Sequence, residues 1–411
     1  MMKKILIAAY ACEPEKTSEP GVGWHFAAEL AKSYELFIIT RGNNREVIER
    51  FLTDHPEDIR NRIHWSYYDL PAFFRKMKRV LPCGLQLYYN LWQWGVFRLA
   101  KKMCRRQHFD LIHHLTFGLA YLQPPLVFLG HPCFWGPIGS GDTVPAAFLR
   151  GEPLSIRFRE WFYGLLSFKG QGRLPWDRLI RRRFAAILFR TSELAANSVV
   201  PAGVHSGVLC ETAFDAPIPE RSYSDAPHPL RVLVVGRLNY YKGTVHALRG
   251  FERFLQQGGR GTIRFLGVNE CPEVTDSFLA ESRHPEAYEL LGPVPHESVL
   301  AELRNADVLL HLSFREGGSW AVMEAMAYGL PVICQNRSGM RDMIVPECGT
   351  LLDASTPEEL TARAAEALLE YEKNPVLIAA RGKAAAQRIA TEYTWQRRGE
   401  ALKKFYEEAM S

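Results

Sequence analysis

The sequence predicts an α/β protein built on two parallel β-sheets. Short apolar runs of strand length alternate with longer helical patterns along most of the chain, which is typical of βαβ units. The chain has 411 residues, of which 47% are hydrophobic and 23% are charged, so it is long enough to bury two cores. A turn-rich segment, residues 217–229, separates the alternation into two series and indicates a linker between two domains.

The first series predicts a Rossmann-like domain over residues 1–216. Helical patterns such as Trp24–Lys32 lie between its short apolar runs. We interpret the first run as a buried strand rather than a leader segment, because no clear small-residue cleavage site follows it. The predicted strands are Lys4–Ala9, Glu35–Thr40, Arg62–Tyr67, Leu111–His114, Pro132–Trp135 and Ala185–Arg190.

The second series predicts another Rossmann-like domain over residues 230–393. Its predicted strands are Arg231–Val235, Thr262–Gly267, Tyr288–Leu291, Val308–Leu312 and Pro331–Cys334. Its predicted helices are Thr244–Gln256, Glu297–Asn305, Ser319–Tyr328 and Pro357–Glu372. A last amphipathic helix, residues 394–411, is a candidate to pack back on the N-terminal domain. For two such domains a ligand cleft between them is expected.

Charge and cysteine spacing exclude several classes of protein. The net charge is +5 and the pI about 8.7, which suits an anionic substrate or surface but is too weak to indicate nucleic acid. No two cysteines form a C-x-x-C pair, so neither a zinc site nor a redox motif is predicted, and a reducing cytoplasm is expected. No apolar stretch reaches the roughly 20 residues of a membrane-spanning helix. The eight cysteines are Cys12, Cys83, Cys104, Cys133, Cys210, Cys271, Cys334 and Cys348.

The strongest chemical signal is a loop and helix start in the second domain, with the sequence FREGGSWAVME. Gly317 and Gly318 let the backbone approach a ligand closely, and Ser319 is the predicted N-cap. A helix start offers unpaired N–H groups and a partial positive charge to an anion. Glu316 lies at its mouth and Glu324 about two turns further on, so two carboxylates suit hydroxyls on one elongated ligand. The alternative, two solvated surface charges, is disfavoured by the apolar neighbours of Glu324.

A second signal follows the first strand of the second domain, with the sequence VGRLNYYKG. Gly236 permits a tight turn, after which Arg237 and Lys242 can both point at a diphosphate. The segment is neither G-x-G-x-x-G nor a P-loop, so a nicotinamide cofactor is not predicted. The alternative interpretation is a strand-end turn with two solvated bases.

These motifs resemble those of the retaining glycosyltransferases of family 4. The resemblance covers essentially the whole chain and implies the GT-B fold, two Rossmann-like domains facing across a central cleft. The second domain carries the most specific part. The matching elements are the E-x7-E motif at Glu316 and Glu324, the G-R…K-G motif at Gly236, Arg237, Lys242 and Gly243, and the loop Pro20–Gly23 after the first strand.

The resemblance implies a role for each matched residue. Arg237 and Lys242, after Gly236, would hold the donor diphosphate. Glu316 would contact hydroxyls of the donor sugar, and Glu324 the ribose. The backbone at Gly317, Gly318, Ser319 and Trp320 would face the sugar, and the loop containing Gly21 and Gly23 would close over the phosphates. The loop after the first glutamate departs from the usual Gly-Phe-Gly character, which leaves the donor sugar open.

A third signal is a pair of histidines at the end of a first-domain strand. Asp110 and His113 resemble the D-x-x-H strand end of the family, whose histidine reaches the sugar from the opposite wall. Because side chains alternate along a strand, only one of His113 and His114 is expected to face the cleft, and the sequence does not say which. The alternative is a structural histidine.

Two stretches combine basic and aromatic residues. Pro71–Phe109 contains no Asp or Glu, and a second basic region runs from Arg150 to Arg190. Such segments suit the headgroup zone of an anionic membrane, so peripheral contact with the inner face of the membrane and a lipid-linked acceptor are one interpretation. Helices with solvated basic faces are the alternative, and nucleic acid is disfavoured because no binding motif accompanies the charge. The basic residues of the first stretch are Arg75, Lys76, Lys78, Arg79, Arg98, Lys101, Lys102, Arg105 and Arg106.

The resemblance implies transfer of a sugar from a nucleotide-diphosphate sugar to an acceptor hydroxyl with retention, in cell-envelope glycolipid or polysaccharide synthesis. No D-x-D pair occurs in a suitable strand-end position, so neither a metal ion nor another cofactor is expected. Two alternatives stay open: a phosphorylase or epimerase with the same fold, and a non-catalytic sugar-nucleotide-binding protein. The sequence leaves the donor sugar, its base and the acceptor open.

Overall fold

A computed structural model describes residues 2–80 and 84–410. Cys83 and part of the basic stretch Pro71–Phe109 lie outside these residues, as do the two chain ends that the domain predictions included. The chain divides into two compact units. Unit 1 comprises Met1–Gly141, Gly164–Thr212 and Trp395–Ser411, and unit 2 comprises Asp142–Tyr163 and Ala213–Thr394.

The sheet of unit 1 has seven parallel strands in the order β3-β2-β1-β4-β5-β6-β7. This order, in which the chain starts in the middle and winds outward twice, is that of a doubly wound sheet. Strand β4 lies between β1 and β5, and all six of its residues are buried. The strands are β1 Lys4–Ala9, β2 Glu35–Arg41, β3 His64–Tyr68, β4 Leu111–Thr116, β5 Cys133–Ile138, β6 Ala186–Phe189 and β7 His205–Val208.

The sheet of unit 2 has six parallel strands in the order β10-β9-β8-β11-β12-β13. Its core is formed by apolar strand residues together with Phe251, Phe254 and Tyr371 from the covering helices. The strands are β8 Leu230–Val235, β9 Gly261–Leu266, β10 Tyr288–Gly292, β11 Val308–His311, β12 Val332–Gln335 and β13 Gly349–Leu352.

Fifteen α-helices connect and cover the strands in the described part of the chain. None of them is long and apolar enough to cross a membrane. They are α1 Ser18–Ala31, α2 Arg45–Asp54, α3 Ala72–Val80, α4 Gly84–Cys104, α5 Leu154–Gly170, α6 Pro175–Arg181, α7 Ser192–Asn197, α8 Thr244–Gln256, α9 Pro272–Glu281, α10 His296–Asn305, α11 Trp320–Ala327, α12 Ser338–Met343, α13 Pro357–Lys373, α14 Pro375–Glu392 and α15 Trp395–Met410.

The division into units differs from the sequence-based boundaries at residues 213–216, which join unit 2 with the predicted linker, and in one longer segment. Residues 142–163, which the sequence analysis assigned to the first domain, belong to unit 2. The reason is packing, because Phe148 is buried in the unit 2 core with its ring 4.8 Å from that of Phe314. Helix α15 belongs to unit 1, where the Trp395 indole stacks on the His25 ring at 4.5 Å.

The segment predicted to be a linker is partly docked on unit 2. The guanidinium of Arg221 donates hydrogen bonds to the carbonyls of Leu303 and Tyr328, at 3.0 and 3.2 Å. The hydroxyl of Tyr223 donates to the Gly329 carbonyl at 2.9 Å. Arg221 thus satisfies carbonyls at the ends of α10 and α11, which have no partner within their own helices.

Candidate functional site

The helix start predicted as the ligand-binding element is present in unit 2. Strand β11 ends at His311, a loop follows, and α11 begins at Trp320. Ser319 occupies the N-cap position with extended backbone, but its side chain makes no capping hydrogen bond. Gly329, at φ 71°, follows the helix in the left-handed conformation that glycine accepts without strain.

Glu316 is the most strongly perturbed carboxylate of this loop. Its Oε1 accepts hydrogen bonds from Lys242 Nζ and from His311 Nε2, the latter at 3.0 Å. Only 10% of the side chain is exposed. Burial alone would raise its pKa, but the hydrogen bond and charge of His311 and the charge of Lys242 outweigh burial and lower the pKa to about 2. The side chain is therefore an ionised acceptor.

The loop that carries Glu316 is clamped against the start of α12. The amide of Gly339 donates to the Glu316 carbonyl at 2.8 Å. A Cβ on Gly339 would lie 1.5 Å from the Gly317 carbonyl oxygen, so only glycine fits there. Ser338, beside it, has φ 52° and is buried. These contacts fix the backbone between Glu316 and the helix start.

Glu324 lies further along the same helix and is mostly buried, with 13% of its side chain exposed. Its Oε1 is 2.8 Å from His296 Nε2, on the neighbouring helix α10. The alternative interpretation of two solvated surface charges is therefore wrong for Glu316 and Glu324. Both carboxylates are shielded from water and held by a basic group.

The second motif forms a tight turn after β8. Gly236 has φ 136°, and Tyr240–Lys242 forms a short 3-10 turn in which Asn239 Oδ1 accepts from the Lys242 amide at 3.0 Å. A Cβ on Gly243 would lie 2.2 Å from the Leu312 carbonyl oxygen, so the turn packs directly on the end of β11. This packing brings Lys242 to Glu316.

The two cations of this motif have different partners. Lys242 pairs with Glu316, whereas the Arg237 guanidinium donates to Glu270 at 3.1 Å and to the Tyr241 hydroxyl at 2.8 Å. Arg237 is 58% exposed and lines a cavity of about 440 Å³ with Tyr240, Tyr241 and Glu270. The alternative of two solvated bases is wrong for Lys242, whose side chain is 23% exposed and ion-paired.

The histidine pair lies in the interior of unit 1. Both ring nitrogens of His113 are occupied, by the Tyr406 hydroxyl at 2.5 Å and the Gly136 carbonyl at 2.7 Å. His114 contacts the Tyr89 hydroxyl at 2.5 Å. Burial lowers the pKa of His113 to about 4 and that of His114 to about 3, so both rings are neutral. This geometry favours the structural alternative, because β4 is a central strand covered on both faces.

The predicted glycine loop is also different from the expectation. Pro20–Gly23 lies inside helix α1, and Gly21 and Gly23 are buried. A Cβ on Gly21 would lie 2.2 Å from the Lys16 carbonyl oxygen, and one on Gly23 would lie 2.3 Å from the Ala11 carbonyl oxygen. The prediction of a loop was wrong because these glycines serve close packing of the β1–α1 connection on the helix.

Two residues that contact the site were not indicated by any sequence motif. His311 is the last residue of β11, and the only available signal was a histidine ending an otherwise apolar strand. Glu160, on α5, accepts from the Tyr240 hydroxyl at 2.5 Å and from Arg315. It is 80 residues from the first partner and 155 from the second, which no local pattern indicates. Within the described residues, no group of three or more His, Cys, Asp or Glu side chains could hold a metal ion.

Comparison with known families finds a match within unit 2. Residues 221–384 match the family model described as glycosyl transferases group 1. The chain is 32% identical over 170 residues to the amylovoran biosynthesis glycosyltransferase AmsK of Erwinia amylovora, covering 39% of this chain and 41% of that protein. It is 30% identical over 153 residues to the putative colanic acid biosynthesis glycosyltransferase WcaL of Salmonella typhimurium, covering 36% and 38%. The matches thus span about two fifths of these relatives.

A solved structure extends the likeness in fold to the whole chain. The sucrose-phosphate synthase of Thermosynechococcus elongatus superposes with a TM-score of 0.61 over 99% of this chain and 98% of that one. The sequence identity is 15%, so the likeness shows the fold alone. That fold is GT-B, as the two parallel sheets indicated.

Proposed function

The chain carries a domain of the glycosyl transferases group 1 family at residues 221–384, and we propose that it transfers a sugar from a nucleotide-diphosphate sugar to an acceptor hydroxyl. The observation that supports this proposal most directly is the buried cluster of Lys242, Glu316 and His311 beside the start of α11. In this cluster Lys242 is a cation for a diphosphate and Glu316 is an ionised acceptor for sugar hydroxyls. The two charged groups are in direct contact.

Charge stabilisation is the main catalytic task in this proposal, because the leaving group is a diphosphate. Lys242 and the N–H groups at Gly317, Gly318 and Ser319 stabilise the developing negative charge, and Arg237 turns from Glu270 to join them. Removing one preorganised donor of this kind typically costs about 10²–10³ in rate. The donor diphosphate competes with Glu316 for Lys242, so donor binding replaces one ion pair by another.

The two carboxylates orient the donor. Glu316 accepts hydrogen bonds from sugar hydroxyls and remains positioned by His311 when Lys242 turns to the diphosphate. Glu324 accepts from the ribose, and Trp320 and Gly236 complete the donor contacts. We propose retention at the anomeric carbon: the acceptor oxygen replaces the diphosphate oxygen there, and the acceptor's hydroxyl proton passes to the departing diphosphate. His113 and His114 have no role in the proposed reaction, because both are buried in unit 1.

The setting that we propose is cell-envelope glycolipid or polysaccharide synthesis on the cytoplasmic side of an anionic membrane. Two relatives are named for amylovoran and colanic acid biosynthesis, which supports the process. Seven free cysteines among the described residues support a reducing compartment. A lipid-linked acceptor fits the basic and aromatic segments. No metal or other cofactor is included, because Lys242, Arg237 and the helix start supply the positive charge.

A donor screen tests the proposal. We expect one of the UDP-, GDP- or ADP-sugars to raise the melting temperature, because a ligand that binds only the folded state stabilises it. The best donor is then incubated with and without acceptor, and the products are analysed by NMR. Sugar transfer with retained anomeric configuration supports the proposal. Phosphorolysis, epimerisation, or tight binding without turnover across the panel would each establish one of the alternative functions instead.

A further inference from the structure

Helix α5 has two chemically different faces along its first part, Leu154–Tyr163, which belongs to unit 2. Leu154, Phe158, Trp161 and Phe162 are exposed, and their spacing of three or four residues places them on one side of a helix. Phe158 is 67% exposed and Trp161 58%. Large apolar side chains aligned in this way are unusual on a free protein surface and mark an interaction site.

Within Leu154–Tyr163 the charged side chains that reach the solvent are both arginines. Arg157 and Arg159 are exposed, whereas the one acid of the segment, Glu160, is buried with 4% of its surface accessible. Further along the chain, between residues 161 and 192, Asp177 is the one acid, and it is buried as well. Aromatic and aliphatic side chains flanked by arginines match the interface of an anionic bilayer, in which rings lie at headgroup depth and cations contact lipid phosphates.

The buried face of the same helix contacts two loops, residues 236–243 with Lys242 and residues 312–319 with Glu316, which we call the donor loops. Glu160 Oε1 accepts from the Tyr240 hydroxyl, two residues before Lys242. Glu160 Oε2 accepts from Arg315, the neighbour of Glu316, and from the Val144 amide. Burial and the bond to Glu160 raise the pKa of Tyr240 to about 12, so its hydroxyl stays protonated and donates.

Aromatic contacts reinforce the same connection. The Arg315 guanidinium lies 4.8 Å from the Tyr163 ring and 5.6 Å from the Tyr241 ring. The Arg159 guanidinium lies 5.0 Å from the Tyr240 ring. Side chains of α5 therefore contact both Tyr240, near Lys242, and Arg315, next to Glu316.

We propose that the exposed face of α5, at Leu154, Phe158, Trp161 and Phe162, docks on an anionic bilayer, and that Glu160 transmits this contact to the two donor loops. Glu160 is a positioning residue in this account. The inference rests on the proposed function for its kinetic consequence, whereas the docking itself does not depend on any reaction.

Vesicle flotation tests the docking. Wild type should float with vesicles of equal parts phosphatidylglycerol and phosphatidylcholine at low salt, and not with phosphatidylcholine alone. The double variant Phe158→Ser/Trp161→Ser should lose at least about tenfold in bound fraction, because two apolar contacts are removed. Val376→Ser, which alters a 72% exposed residue on α14, is the matched control and should float like wild type.

Donor kinetics with and without these vesicles test the transmission. Anionic vesicles should raise donor kcat/KM of wild type about fivefold or more, the usual size of coupling between sites. Glu160→Gln keeps the shape of the side chain but loses the charge that holds Arg315. This variant should still float, yet its stimulation by vesicles should fall below about twofold.

The outcomes separate the two parts of the account. Failure of wild type to float, or flotation of the double variant like wild type, would overturn the docking. Full stimulation of Glu160→Gln would overturn the transmission. If the double substitution instead converts a sedimenting dimer to a monomer, the face joins two copies of the chain and the bilayer assignment is wrong. Absence of turnover with every donor refutes the sugar-transfer proposal but leaves the flotation result decisive for docking.

Discussion

At Glu316 a single carboxylate oxygen is shared by two basic side chains. Lys242 arrives from the turn after β8 and His311 from the end of β11, and both donate to Oε1. Because the pKa lies near 2, the carboxylate is ionised at every pH at which the protein would work. A protonated acid could donate to a ligand oxygen, whereas this group can only accept, which suits sugar hydroxyls.

The lowered pKa of Glu316 predicts a pH-dependent stability. The folded value of about 2 lies below the unfolded reference of 4.5, so the unfolded state binds more protons and stability is lost as the pH falls from about 5 towards 2. Between pH 6 and pH 3.5 this one group should cost wild type about 1 kcal/mol. Glu316→Gln has no carboxylate at this position, so its stability should fall by about 1 kcal/mol less than that of wild type over the same pH range.

Urea unfolding of both proteins at pH 6 and pH 3.5 measures the difference. A wild-type loss of stability that is no larger than that of Glu316→Gln would contradict the assigned environment of the carboxylate. The comparison is internal to each protein, so a uniform change in stability caused by the substitution cancels.

The loop between β11 and α11 depends on a close backbone contact with α12. Gly339 lies against the Gly317 carbonyl, where a Cβ would be 1.5 Å from the oxygen. Gly339→Ala should therefore push the donor loop away, destabilise unit 2 by about 2 kcal/mol and weaken donor binding.

Gly164→Ala is the control for this substitution. Gly164 lies within α5, and a Cβ there would meet no atom within 4 Å, so the variant should unfold like wild type or slightly later. Thermal unfolding and donor titration of both variants provide the measurement. Wild-type donor affinity in Gly339→Ala would show that the clamp does not position the loop.

Regular elements were predictable where the sequence repeats a pattern. The eleven strands inferred from apolar runs are present, with ends that differ by a few residues. The remaining strands, β7 and β13, were missed because they have four residues each and lie at sheet edges, where little burial shapes the sequence. The E-x7-E helix start was predicted in position, but the glycines of α1 were misread as a loop, because tight helix packing and a turn select the same residue.

Contacts between distant parts of the chain were not predictable in this way. The chain passes between the two units four times. The segment 142–163 lies in unit 2, although the residues before and after it belong to unit 1. Glu160 contacts the donor loops because its segment of the chain crosses into unit 2. Periodicity reports which face of an element is buried, but not against which element, so the role of Glu160 becomes visible only in the fold.

Lys242 carries the central claim of this account, that the cluster with Glu316 binds a nucleotide diphosphate. Calorimetric titration with the nucleoside diphosphate of the best donor should show affinity falling at least about tenfold in Lys242→Met, the loss of one charged hydrogen bond. Lys373→Met, which removes an exposed lysine at the end of α13, should bind like wild type. Equal affinity of wild type and Lys242→Met would contradict the claim.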